Sequence, residues 1–277
     1  MNDSRVSVGS KPARRLLNPA GGFLEGYSHT LNPYVGCAFA CSYCYVREMP
    51  VAKFRAAPWG SWVDAKEGAA GLLRKELKLA KRKGPVTIFM SSATDPYQPL
   101  EYSARLTRSL LEVMTEEPPD FVFVQTRSPL VARDIDLLRL LAAEGRVRVS
   151  VTVETDLEEI RRAFAPAAPP IAGRIRALRE LREAGVPTQA AVAPLLPSSE
   201  RLPAMLAEVT GRVCIDDYFM GDGSGGKRTE RLQIKRLYEQ LGQAEWYDRQ
   251  MADRLLAAFA EVFPRERLFV SRDGFMP

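Results

Sequence analysis

From residue 86 onward, short apolar runs alternate with amphipathic stretches of helical period, a pattern that folds into repeated βα units around a parallel sheet. Strands are expected at 86–90, 121–125, 147–153, 188–193 and 213–218, with a first one at 30–34. The helices between them are expected at 67–83, 103–116, 130–143, 171–184 and 201–208. Gly84-Pro85, Pro118-Pro119, Gly145 and Gly185 stand where these helices must stop. In the fourth strand Val147, Val149, Val151 and Val153 alternate with Arg148, Ser150, Thr152 and Glu154, so one face is apolar and the other polar. Packed on both sides, the polar face would carry a heavy desolvation penalty, which points to an interior that receives a ligand. The next strand, Ala190-Ala191-Val192-Ala193, is small enough either to let a ligand approach the backbone or to fit beneath a helix.

Length and composition set the outer bounds. With 277 residues, 46% hydrophobic and 26% charged, the chain can bury a core without disulfide staples, which excludes disordered and mini-protein classes. No run approaches the roughly 18 apolar residues of a membrane span, and the first 17 residues hold no apolar leader segment, so a cytoplasmic protein with no membrane association is expected. The formal charge of +5 is unevenly spread. Residues 1–60 carry seven bases against three acids, and residues 71–90 carry six bases against Glu76 alone. Such an excess permits a polyanionic partner without requiring one.

Three of the four cysteines, Cys37, Cys41 and Cys44, fall within eight positions as Cys-Ala-Phe-Ala-Cys-Ser-Tyr-Cys. This spacing suits an inorganic centre in a reducing compartment. A structural zinc ion closes its shell with four ligands and would have to recruit His29, the sole histidine, or the distant Cys214. An iron-sulfur cluster held by three thiolates instead leaves one iron open for a substrate or cofactor.

The loop resembles the CX3CXΦC motif of the radical S-adenosylmethionine (radical SAM) enzymes, with Tyr43 at the aromatic position Φ. The stretch Asn32-Pro33-Tyr34-Val35-Gly36-Cys37, then Tyr43-Cys44-Tyr45 and Arg47, and Ser92-Ala93-Thr94-Asp95-Pro96-Tyr97-Gln98-Pro99-Leu100-Glu101 after the second strand, are similar to the branch related to spore photoproduct lyase, the DNA repair photolyase-like group. The resemblance covers roughly residues 32–197. It implies an α/β fold, a partial (β/α)6 TIM-like barrel at 27–220, preceded by a basic N-terminal extension at 1–26. A Gly-rich loop and C-terminal helical extension would follow at 221–277, where Trp246, Tyr247, Leu255, Leu256 and Phe259 recur at helical spacing before a short strand at 268–270.

The same resemblance implies the chemistry. A [4Fe-4S] cluster on Cys37, Cys41 and Cys44 would bind S-adenosylmethionine through its open iron, and reductive cleavage would give a 5′-deoxyadenosyl radical that takes hydrogen from a substrate. Tyr43 and Tyr45 would flank the cofactor, with Thr94 and Asp95 at the rim of the site. Arg127 would contact the cofactor, Thr152 and Glu154 would address its ribose or methionyl end, and Val192 and Ala193 would offer backbone to the adenine. Tyr97 and Glu101 serve equally well as a wall and a helix N-terminal charge. A flavodoxin- or ferredoxin-like electron donor is implied, and nucleic acid or a nucleotide-like molecule is the first substrate expected. Spore photoproduct repair itself is not expected, because Ser92 falls where that lyase has its hydrogen-donating cysteine. The rival from another class is a zinc-bearing nucleic-acid-binding module without catalysis.

Other features are weaker. Gly221-Asp222-Gly223-Ser224-Gly225-Gly226-Lys227-Arg228 nearly spells a P-loop, but Arg228 stands where a Ser or Thr must hold magnesium, so a flexible glycine-rich loop is expected. Cys214 is expected to be a buried small hydrophobe. Arg74, Lys75, Lys78, Lys81 and Arg82 on the first long helix are expected to be a solvated face, with a phosphate-tracking patch as the functional alternative.

Overall fold

The computed structural model describes residues 6–221 and 223–277; Asp3 and Arg5 of the basic N-terminal stretch and Asp222 of the glycine-rich loop lie outside them. Six parallel strands lie side by side in chain order: β1 (His29–Leu31), β2 (Thr87–Met90), β3 (Phe121–Thr126), β4 (Val147–Thr152), β5 (Thr188–Val192) and β6 (Val213–Ile215). A seventh, β7 (Leu268–Val270), pairs in parallel with β6, and Asn18–Pro19 pairs antiparallel with β1. The crossovers carry α1 (Ala69–Lys81), α2 (Leu106–Glu116), α3 (Ile135–Ala143), α4 (Ile171–Glu183), α5 (Leu202–Ala207) and α6 (Met251–Ala260). This is the expected α/β architecture, a parallel-stranded partial TIM-like barrel. No helix among the described residues is long and apolar enough to cross a membrane.

Strand alternation decides which residues meet the helices. Ile88, Val122, Val124, Val147, Val149, Val151, Ala190, Val192, Val213 and Ile215 join the helices in the main core. The opposite face forms the barrel interior in layers set by register, with Phe89 beside Phe123 and Arg148, then Gln125 beside Ser150 and Gln189, then Thr152 beside Ala191 and Cys214. The polar face of β4 is thus the interior face, as its alternation foretold. Its desolvation is offset by hydrogen bonds within and between these layers: Gln189 Nε2 donates to Ser150 Oγ at 3.3 Å, and Gln125 Nε2 to Thr152 Oγ1 at 2.8 Å.

Aromatic packing fills the end where the strands begin. Phe89 and Phe123 stack 5.1 Å apart, Phe275 packs on both, and Tyr27 donates to the Phe275 carbonyl at 2.7 Å. With that end filled, the open interior faces the C-terminal ends of the strands.

The structure departs from the sequence expectation in four places. Trp62–Glu67 is a strand, paired in parallel with Ser7–Pro12 and antiparallel with Tyr34–Val35 to make a small side sheet. Trp62, Val63 and Asp64 are all buried, so the strand shows no alternation to read. Tyr34 accordingly belongs to the side sheet rather than to β1. The helix expected from 103 is broken at Arg105, whose φ of 48° is left-handed. The segment Pro129–Asp134 is a 3-10 turn that precedes α3.

The basic face of α1 is partly neutralised. Arg74 pairs with Glu116, and Lys78 and Lys81 pair with Glu117 at 3.2 and 3.9 Å, both acids following from α2. Three of its cations are therefore engaged with protein rather than free to track phosphates.

Candidate active site

The cysteine loop follows β1 at the open end and is held from several sides. Gly36 starts it with a φ of +85° and its Cα against Trp62, where any Cβ would collide with the Trp62 carbonyl and ring. Gln98, fully buried, clamps the same turn: its Nε2 donates to the Gly36 carbonyl at 3.2 Å and its Oε1 accepts from Ala38 N–H at 2.9 Å. At the far side Arg47 donates to the Ala40 carbonyl at 2.6 Å and the Cys41 carbonyl at 2.9 Å.

The three thiols this loop presents are free, with Cys41 buried and Cys37 and Cys44 half-buried. Burial pushes the Cys37 thiol up, with the Asp95 carboxylate and Cys41 adding to it, and burial together with Cys41 pushes Cys44 up to about 11. Backbone hydrogen bonds from Asp95 to the Cys37 sulfur and from Val46 to the Cys44 sulfur act in the opposite direction, favouring thiolate. Buried thiolates that repel one another and receive N–H donors are a donor set that a cationic iron-sulfur centre neutralises. Among the described residues no three His, Cys, Asp or Glu side chains are arranged to hold a single ion. His29, which the zinc reading needs, pairs in register with outward-facing Ile88, bonds Ser28 Oγ at 2.8 Å and senses Glu76 of α1, away from the interior.

Tyr43 projects from the loop into a buried charge network. Its hydroxyl donates to Glu154 Oε1 at 2.8 Å and accepts from Arg127 Nη1 at 2.6 Å, and Arg127 also bonds Glu154 Oε1 at 3.1 Å. Glu154 Oε2 accepts from Arg174 Nη1 at 2.6 Å. Burial opposes ionisation of Glu154, but Arg174 and Arg127 outweigh it and hold its carboxyl below the usual range.

The segment after β2 forms another wall. Tyr45 donates its hydroxyl to the Ser92 carbonyl, while Asn32 donates to Ser92 Oγ at 3.2 Å and accepts from Ala93 N–H at 2.9 Å and Thr94 N–H at 3.3 Å. Asp95 is buried and saturated, accepting from Thr126 Oγ1 at 2.6 Å, Arg127 N–H at 2.8 Å and Tyr97 N–H at 2.9 Å, so its carboxylate ties the ends of β2 and β3 together. Buried polar atoms without a protein partner remain in this region: Ser91 Oγ, Thr94 Oγ1 and Gln125 Oε1. Such atoms are costly unless a ligand or water meets them.

The sequence-derived residues Tyr43, Tyr45, Ser92, Thr94, Asp95, Arg127, Thr152 and Glu154 thus meet at one end of the sheet. Val192 stands apart. Its side chain joins the outer core and its carbonyl accepts from Asp216 N–H at 3.0 Å, while Ala191 and Ala193 lie on the interior side. Tyr97 is buried in the outer core, and Glu101 accepts from Tyr34, Arg133 and Thr107, so both are structural. Arg174 went unread because a basic residue on an amphipathic helix carries no mark of burial. Gln98 and Asn32 lay inside recognised motifs without a role until the loops they bridge were seen together. The glycine-rich loop leads into a short helix, Lys227–Arg231, lying against the turn after the cysteines.

The sequence model described as "Radical SAM superfamily" matches residues 31–201. An uncharacterized protein of Methanocaldococcus jannaschii is 31% identical over 195 residues, 70% of this chain and 70% of that protein. An uncharacterized protein of Acidianus two-tailed virus is 32% identical over 198 residues, 69% of this chain and 64% of that protein. Spore photoproduct lyase complexed with dinucleoside spore photoproduct shares the fold with a TM-score of 0.65 at 15% identity, over 97% of this chain and 82% of that one. By sequence and by fold, the chain belongs to the radical SAM superfamily of enzymes.

Proposed function

We propose that the protein binds a [4Fe-4S] cluster and S-adenosylmethionine at the open end of the barrel and acts on a nucleic acid or nucleotide-like substrate other than the spore photoproduct. The observation that carries the cofactor reading is the meeting of three free thiols on one loop, two of them supported by backbone N–H donors, with a polar interior that holds unpartnered Thr94 Oγ1 and Gln125 Oε1. When bound, these cofactors supply a reductively generated carbon radical that removes hydrogen from substrate.

The chain's own residues hold and shield the site. Cys37, Cys41 and Cys44 would carry the cluster, with Gln98 and Arg47 fixing the loop. Tyr43, oriented by Glu154 and Arg127, would wall the cofactor on one side, with Tyr45, Thr94, Thr152 and the Ala193 backbone around it. Ser92 would stand nearest the substrate, and Asp95 would act as a positioning residue through its three hydrogen bonds. The aromatic floor of Phe89, Phe123 and Phe275 excludes water from below.

Charge supports the substrate class. A groove of about 520 Å³ at the outer end of the side sheet is lined by Lys11, Arg14, Arg15 and Lys66, a setting suited to phosphates. The test is anaerobic reconstitution followed by S-adenosylmethionine and dithionite: about four irons per chain and slow release of 5′-deoxyadenosine are expected. A full, reducible cluster that yields no such product would refute the cofactor chemistry.

A further inference from the structure

The segment between the cysteine loop and the side sheet is exposed where burial would be expected. Phe54 is 89% exposed and Val51 38%, on and just after the short helix Pro50–Lys53. Ala52 of the same short helix joins Val46, Trp59 and Trp62 in a compact cluster in contact with Cys37 and Cys44, and the two tryptophans meet edge to face at 5.8 Å. The segment that bears the exposed apolar residues is thus joined, through Ala52 and through Arg55 over Trp62, to a cluster that touches two of the three cysteines.

The charges around it are sorted by depth. Lys53 bonds Glu48 at 2.7 Å, Arg231 approaches the same carboxylate at 3.9 Å, and Arg55 bonds Asp64 at 2.9 Å while stacking on Trp62. The side chains of Lys53, Arg55 and Arg231 are 48%, 39% and 63% exposed, whereas those of Glu48 and Asp64 are 16% and 10% exposed. A partner arriving from solvent therefore meets an apolar centre ringed by positive charge, with the compensating acids underneath. Aromatic anchors with basic surrounds fit small, electrostatically steered encounters.

We propose that residues 50–58, centred on Phe54, are the docking surface for a small acidic one-electron carrier protein that reduces the centre held by the three cysteines. The proposal rests on the cofactor reading above. In that encounter one electron passes from the carrier, oxidised by one, to the iron-sulfur centre, reduced by one, with no bond made or broken and no proton moved. A second copy of this chain, with the same positive surface and a charge of +5, is electrostatically disfavoured as the occupant.

The test uses the reconstituted holoenzyme and a small acidic ferredoxin, pre-reduced and freed of dithionite, with cluster bleaching followed by stopped flow. Phe54→Glu and Lys53→Glu should each slow reduction by ferredoxin about tenfold or more at low salt. Rising ionic strength should slow the wild type and narrow its lead. Iron content and bleaching by dithionite itself should match wild type in both variants, which separates lost docking from a damaged centre. Unchanged reduction by ferredoxin in both variants, at full iron content, overturns the docking surface alone. Wild-type protein that holds no iron overturns it together with the cofactor reading. Wild-type dimerisation that Phe54→Glu abolishes, with ferredoxin kinetics unchanged, assigns the surface to a second copy and overturns the proposal as well.

Discussion

Arg174 extends from α4 to Glu154, placing Nη1 2.6 Å from Oε2 with both side chains sealed from solvent, and its Nε and Nη2 donate to the Pro169 carbonyl. A carboxylate so held keeps its second oxygen for Tyr43 and Arg127, and the pair thereby fixes the orientation of the loop tyrosine. Removing Arg174 leaves Glu154 Oε2 without its donor while Arg127 still meets Oε1, a loss of about 1.5–3 kcal/mol for a hydrogen bond to a charged group. Arg174→Met should therefore lower the thermal midpoint sharply, whereas substitution of the exposed Arg176 should not; equal midpoints would refute the role given to Arg174.

Glu154 also gives the fold an acid limit. Its folded pKa lies below the ordinary carboxylate value of about 4.3, so its contribution is complete above that pH and is lost as pH falls toward the folded value. Glu154→Gln should be less stable at neutral pH and should show a smaller further loss below about pH 4, because the group that takes up the proton is gone. Urea midpoints from pH 7 down to pH 3 measure the difference, and parallel curves for the two proteins would exclude Glu154 as a source of the acid slope.

Replacing Cys37, Cys41 or Cys44 by Ala should abolish cluster assembly, each removing one of three thiolates. Cys214→Ala should retain wild-type iron, since that thiol sits in the barrel interior against Gly274 and directs its hydrogen to the Ser271 carbonyl at 3.4 Å. Iron analysis and the visible spectrum after anaerobic reconstitution decide it; full iron in Cys41→Ala would remove the cluster assignment.

Gln98 supports that loop without reaching the reacting atoms. Gln98→Leu leaves the Gly36 carbonyl and the Ala38 N–H unpaired in a buried site, a loss of about 1–3 kcal/mol per group. The loop should loosen locally: iron should be lost to chelator faster, and the electron paramagnetic resonance signal of the reduced cluster should broaden or shift. A lower melting point with an unaltered signal and unaltered iron loss would make Gln98 merely structural.

What the sequence made legible follows from periodicity. The alternation at 147–153 located both faces of β4 and hence the polar interior, and six strands fell where apolar runs met turn residues. Trp62–Glu67 escaped because a strand buried on both faces shows no period, and its partner Ser7–Pro12 is remote in sequence. The cysteines were legible because their chemistry is local. Arg174, Asn32 and Gln98 were not, because each acts across a separation that only the folded chain closes. The backbone expected of Val192 is engaged within the sheet, its carbonyl accepting from Asp216 N–H at 3.0 Å, a pairing that only the folded chain reveals.

Ser92 bears on which substrate is taken. Spore photoproduct lyase, whose fold this chain shares, has a hydrogen-donating cysteine at the position that the motif resemblance assigns to Ser92. Here Ser92 Oγ accepts from Asn32 and its carbonyl accepts from Tyr45, which anchors it beside the cysteine loop. A serine O–H bond is far too strong to return hydrogen readily to a carbon radical. The spare thiol of Cys214 cannot take over, because the C-terminal residues pack against it inside the barrel. The wild-type protein should therefore fail to repair dinucleoside spore photoproduct cleanly. Ser92→Cys should raise the yield of thymidine monomer above the wild-type trace, and Cys214→Ala should leave that yield unchanged. Incubation of the reconstituted proteins with the lesion, S-adenosylmethionine and dithionite, followed by chromatography of the nucleosides, reads the outcome. Multiple clean turnovers by the wild type would show that hydrogen return runs through another residue and would overturn the exclusion of this lesion.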